Sequence, residues 1–358
     1  MNNTISLEET QRVKTNLDKY DKIRKYLGND WINDNILNNR SRSSVHAIFW
    51  HLYDSHKAKL IEKWLDIIYK KNSLNIFQKI IQKIKNSKDE RNFLSLLPEI
   101  EIYAYYLNLK DFKEVMYEPN LISSQKKADL KLITINDEIY IEITRIFPDE
   151  ISTKREELLS NISLKLAELR HPYYIDLKIF NEFKDNDICE FIIEMDDFFK
   201  KIEHYNDYEK YSYQYIKKNT IKAEILILKK TDSSHIKIRF HMSSAQKVES
   251  SGRLKFKLID ESDQLPVGTN NVIILDIKTM LVNPDNVDEA IYGQEGIEFN
   301  KEKRIGRSVR FKNGFIHTEI GKNVGLIMSY DEYNYANRLK YVNPFAVVQL
   351  PKDLVDLL

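Results

Sequence analysis

Apolar positions along this chain change their period several times, and each change marks an element. Through residue 92 they recur at helical spacing, as in Ile61, Leu65, Ile68 and Tyr69, and again in Ile76, Ile80, Ile81 and Ile84. The polar stretch Asn86-Ser87-Lys88-Asp89 interrupts them. Residues 1–92 are therefore expected to form an N-terminal helical region. An apolar run over 97–107 predicts another helix, with Pro98 near its first turn, where the missing N–H has no intrahelical partner to lose. A strand is expected over 114–118.

From 127 to 145 the period drops to two. Lys127-Ala128-Asp129-Leu130-Lys131-Leu132 and Glu138-Ile139-Tyr140-Ile141-Glu142-Ile143-Thr144-Arg145 flank Thr134-Ile135-Asn136-Asp137, which has the chemistry of a hairpin turn. Beyond the hairpin the pattern predicts a helix near 150–169, a strand over 173–179, a helical stretch through 187–218, and strands over 223–228 and 235–240. Residues 252–264 fit either period, with Leu254, Leu258 and Leu265 favouring a helix. The continuous apolar runs 271–277 and 324–329 read as strands buried on both faces. Residues 93–358 are thus expected to form one α/β domain, a mixed sheet flanked by helices and enlarged toward its C-terminal part.

The hairpin carries candidate chemistry. Side chains alternate faces along a strand, so Tyr140, Glu142 and Thr144 share one face and Ile139, Ile141 and Ile143 the other. Asp129 and Lys131 lie on one face of the first strand. If the polar faces coincide, Asp129 meets Glu142. Two close carboxylates repel and raise a pKa, and a hard cation with oxygen ligands removes the repulsion. The competing reading is a solvated polar face on an exposed hairpin.

The order helix with a Glu, strand, strand with Asp, strand with Glu, helix, strand resembles the PD-(D/E)xK superfamily of restriction-endonuclease-like nucleases. The resemblance covers about residues 96–180. It implies that Asp129, Glu142 and the backbone carbonyl of Ile143 hold Mg2+, with Mn2+ able to substitute. Glu101, in Glu101-x-x-Ala104-x-x-Leu107, matches the helical Glu of the family. Glu99 competes with it, and the family spacing favours Glu101. One position departs: where the family has Lys two residues after the Glu, this chain has Thr144. A migrated Lys is then expected, with Lys154 the first candidate and Lys165, Lys126 and Lys127 behind it. Thr144 itself is a candidate aligner of a bound water. The implied function is a metal-dependent DNA endonuclease in restriction, phage defence or repair, with DNA ahead of RNA as substrate. The alternatives are an inactive restriction-like fold that binds nucleic acid or protein as a subunit, and a helical scaffold carrying an unrelated α/β domain.

Composition narrows this further. The 358 residues include 55 Lys and Arg against 54 Asp and Glu, a net charge of +1. No global field draws the chain to nucleic acid, so a binding surface must be a local patch. The lone Cys189 suits a reducing compartment, and the polar N-terminus with no long apolar run suggests a cytoplasmic protein without membrane contact. A homodimer or a partner subunit is compatible with all of this. His46, His51 and His56 step by five residues, about 140° apart on a helix, which argues against a shared metal. Asp276 ends a buried strand without an evident partner and reads as structural. There is no zinc spacing, P-loop or GxSxG motif.

Overall fold

In the computed structural model, residues 4–120, 128–147, 150–179, 183, 185–202, 211–217, 219–230, 236–242, 250–278, 284–300, 305–331 and 335–358 are described. They form two compact units: residues 1–147 with 249–358, and residues 148–248. The boundary therefore does not fall at residue 92. The helical region belongs to the first unit, and the second unit interrupts it in sequence.

Unit 1 begins with helices α1 (Leu7–Lys19), α2 (Asp21–Leu27), α3 (Asn29–Ile32), α4 (Ile48–Tyr53), α5 (Ser55–Lys71), α6 (Leu74–Asn86) and α7 (Glu90–Asn108). The expected helical start is sound in outline. Ser6 and Glu9 form a capping box on α1, and Asp54, Ser73 and Asp89 cap α5, α6 and α7 with their side chains. The Asp89 cap starts α7 at Glu90, so Pro98 sits in the helix interior rather than its first turn. An interior proline leaves the carbonyl four residues earlier without its donor. That carbonyl, of Leu94, accepts a hydrogen bond of 3.1 Å from Arg145 Nη1.

Strands β1 (Glu114–Tyr117), β2 (Leu130–Ile133) and β3 (Glu138–Arg145) follow as an antiparallel set. After the interruption, unit 1 resumes with α10 (Ser250–Ser262) and β8 (Asn270–Asp276), then α11 (Pro284–Tyr292), the hairpin β9 (Glu295–Asn300) and β10 (Ile305–Arg310), β11 (Leu326–Tyr330), β12 (Leu339–Val342) and α12 (Lys352–Leu357). The main sheet runs β1-β2-β3-β8-β11-β12. β8 is parallel to β3 on one side and to β11 on the other. Its residues 272–275 are completely buried, as the apolar run predicts. Alternation sorts the strands between two cores. Ile139, Ile141, Ile143, Val272 and Ile274 pack on the α7 side, and Ile273 and Leu275 pack with Leu254 and Leu258 of α10 on the other.

Unit 2 supplies the elements skipped in that numbering: α8 (Glu150–Glu168), β4 (Tyr173–Ile179), α9 (Asp185–Ile202), β5 (Ser212–Lys217), β6 (Thr220–Lys230) and β7 (Lys237–Met242). Its own four-stranded sheet, β5-β6-β4-β7, packs Ile175, Leu177, Ile225 and Ile227 against Ile162, Leu166, Phe191, Met195 and Phe199. Two expectations change here. The strand 173–179 belongs to this second sheet, not to the one that holds the carboxylate hairpin. The helical stretch expected through 218 ends at Ile202, and 212–217 is a strand.

Among the described residues no helix is long and apolar enough to cross a membrane.

Candidate functional site

The turn sets the register of the hairpin. Thr134 N donates to the Asp137 carbonyl at 2.9 Å, and Asp137 N donates to Thr134 Oγ1 at 2.9 Å. The ladder then pairs Leu130 with Ile141, so the next position outward sets Asp129 against Glu142. The Asp129 carboxylate turns inward, and its Oδ2 accepts the Ile143 N–H at 2.8 Å. Glu118 N donates to the Asp129 carbonyl at 2.7 Å, fixing the residue from its other side.

Both carboxylates line a cavity of about 520 Å3 between α7 and α10 at the end of β3. From α7 come Arg91, Ser95 and Glu99. β3 and the residues after it contribute Glu142 through Phe147, and α10 contributes Arg253, Phe256, Lys257, Asp260 and Glu261. The α10 positions 253, 256, 257 and 260 form one stripe by helical spacing, opposite the buried Leu254 and Leu258.

The electrostatics of this cavity are unbalanced. Glu142 is 4% exposed and its Oε2 has no hydrogen-bond partner. Burial pushes its carboxyl well above the usual range, and Asp129, Glu261 and Glu99 push it further, as does a hydrogen bond shared with Glu261. Asp129 is raised by burial and by Glu99, against the Ile143 N–H and Lys83, which lower it. Two of the neighbouring acids have cations of their own. Glu99 Oε2 accepts from Tyr117 Oη at 2.7 Å and Lys83 Nζ at 3.1 Å, and Glu261 pairs with Lys257. Asp129 and Glu142 form no ion pair with a Lys or Arg among the described residues.

Glu101 does not join them. Residues two apart on a helix point about 200° apart, and it is Glu99 that faces the cavity. Glu101 is buried on another side of α7, where its Oε2 accepts from Lys278 Nζ at 2.7 Å and from Tyr330 Oη at 3.4 Å. Lys278 also lies 3.9 Å from Asp276, and Asp276 lies 3.7 Å from Arg145. The family spacing that favoured Glu101 over Glu99 is overruled by which side of α7 meets the sheet end.

Thr144 is buried on the cavity wall, two residues along β3 from Glu142. Lys154 lies in α8 of unit 2, and its side chain is outside the described residues, as are Lys126 and Lys127. Lys165, also in α8, lies 3.4 Å from Cys189 Sγ. The cations that line the cavity are instead Lys257, Arg253, Arg145 and Arg91. Sequence reasoning did not single out these four, nor Glu261. Their only advance signal was a helix at 252–264 leading into a strand buried on both faces, the arrangement of a parallel crossover.

Among the described residues no group of three or more His, Cys, Asp or Glu forms a ready-made metal cage. No protein-family model, curated protein or solved structure matches the chain.

Proposed function

We propose that this chain is a metal-dependent nuclease that hydrolyses phosphodiester bonds of DNA. The observation that carries the reading is the opposed pair of half-buried Asp129 and buried Glu142, without an ion-pair partner among the described residues, in a cavity whose other walls bear Arg91, Arg145, Arg253 and Lys257. Anionic floor and cationic walls suit a cation below and a phosphate above. The order helix α7, antiparallel β1-β2-β3, helix α10, parallel β8 supports a restriction-endonuclease-like core. In this reading α10, not α8, is the crossover helix, and unit 2 is an insertion between β3 and α10.

The donor set fits Mg2+ or Mn2+. It offers hard oxygen ligands, an orphaned buried Oε2, and like charges that a divalent ion would neutralise. Asp129, Glu142 and the Ile143 carbonyl would hold it, with Glu99 and Glu261 beside them. When bound, such an ion lowers the pKa of a water and offsets charge on the phosphate. The remaining work falls to the chain. Glu142, whose carboxyl is held above its ordinary range by burial and by the neighbouring acids, gives up its proton more readily once positive charge stands beside it. Arg145 is fixed by the Leu94 carbonyl and Asp276 before substrate arrives, so it meets phosphate oxygens without reorganisation. Lys257, half-exposed on α10, takes the place of the cation that Thr144 cannot supply. The setting this implies is restriction or phage defence.

The Thr at 144 favours a second reading, a restriction-like subunit that binds nucleic acid without cutting it. Plasmid and single-stranded DNA incubated with Mg2+ or Mn2+ separate the two. Cleavage that disappears in both Asp129→Asn and Glu142→Gln is the expected result. No cleavage by the parent, or full cleavage by either variant, refutes the nuclease assignment at this site.

A further inference from the structure

The charged stripe of α10 contains one residue that charge does not explain. Phe256 stands between Arg253 and Lys257 on the cavity wall and is 68% exposed. Leu254 and Leu258, which anchor the helix, are 1% and 0% exposed, so Phe256 has no part in holding α10 to the sheet. A second ring, Phe147, lines the same cavity after β3. The Arg91 guanidinium lies 5.2 Å from its ring centroid, and its carbonyl accepts from Arg253 Nη2 at 2.9 Å. Two aromatic rings thus line the cavity that holds the carboxylates, each with cationic neighbours.

An intact duplex offers such a wall phosphates and groove edges, while its bases stay stacked on one another. An unpaired base offers a π-face, which stacks on an exposed aromatic ring whatever its sequence. Cations interleaved with such rings follow the backbone as the bases stack. We propose that the site takes a DNA strand with at least one unpaired base beside the reacting phosphate, stacked on Phe256, and that Phe256 sets a preference for single-stranded or frayed DNA over duplex. The proposal rests on the nuclease reading and specifies its substrate class.

The test is fluorescence anisotropy on the full chain, with Ca2+ replacing Mg2+ to prevent cleavage. The probes are a labelled 12-nucleotide DNA and the same sequence as a blunt duplex. The parent is expected to bind the single strand more tightly. Phe256→Ala should lower the single-strand to duplex affinity ratio about tenfold, within the range of losing one base stack, and Phe256→Trp should keep it. Arg253→Ala should weaken both probes. An unchanged ratio in Phe256→Ala, or a parent that prefers duplex, overturns the substrate proposal. If plasmid is still cut in Mg2+, the nuclease reading survives that outcome. If neither probe binds and nothing is cut, both fall together.

Discussion

Two clusters of buried carboxylates lie on different sides of α7 in unit 1, and they differ in their company. Glu101 and Asp276 are raised by burial but pulled back by Lys278, and Asp276 by Arg145 as well. At Glu142 the neighbouring acids Asp129, Glu261 and Glu99 all add to the effect of burial, and it forms no ion pair among the described residues. The first cluster is balanced within itself and ties α7 to the end of β8. The second is left unbalanced in a cavity open to a ligand. Burial alone therefore does not mark a functional acid. Burial among like charges, on a wall that something can reach, is the informative combination.

The comparison breaks most visibly at Lys278. Replacing it by Met leaves Glu101 and the fully buried Asp276 with one fewer cation. Urea unfolding should show a loss of about 3–5 kcal/mol, the usual cost of removing one partner from a buried pair. A loss below about 1 kcal/mol would mean the first cluster is not internally balanced.

Next in size is Lys257. If the α10 cation serves the second cluster, Lys257→Ala slows single-turnover cleavage about 100-fold, near the loss of one preorganised stabilising group, while binding weakens far less. Lys154→Ala is the paired variant, and the same slowing there with none at Lys257 would return the role to α8.

The smallest effect concerns pH. The raised carboxyls of the second cluster keep their protons to higher pH in the folded chain than in the unfolded one. Stability from that source is complete below the ordinary carboxylate range, about 4.5 for Glu, and is lost as pH climbs through the raised folded value. In metal-free buffer the parent should therefore lose stability between about pH 5 and 8 by at least about 1.4 kcal/mol more than Glu142→Gln, the equivalent of one pKa unit. Parallel pH profiles for the two proteins would contradict the imbalance.

How much of this was legible beforehand depended on the range of the forces involved. The hairpin and its opposed acids followed from alternation and turn chemistry, both local, and the doubly buried β8 followed from its apolar run. Pro98 misled because its place inside α7 depends on Arg145, 47 residues away in sequence, supplying a donor to the Leu94 carbonyl. Glu99 and Glu101 were inseparable because α7 is apolar nearly all round, so only its packing decides which side faces the cavity. The crossover helix was misassigned because unit 2 begins with a helix and a strand of its own, and these mimic the expected succession. Arg253, Lys257 and Glu261 lie more than 100 residues past Glu142, and no local pattern links them to it.

On the proposed reading, Asp129 and Glu142 would hold a divalent cation, whereas Glu101 and Asp276 would not. Thermal unfolding with and without Mn2+ tests it most directly. Parent and Glu101→Gln should both gain stability from Mn2+, by about 2.7 kcal/mol at 100 times the dissociation constant. Glu142→Gln should gain little or nothing. An equal gain in Glu142→Gln, or a gain lost only in Glu101→Gln, would contradict the account.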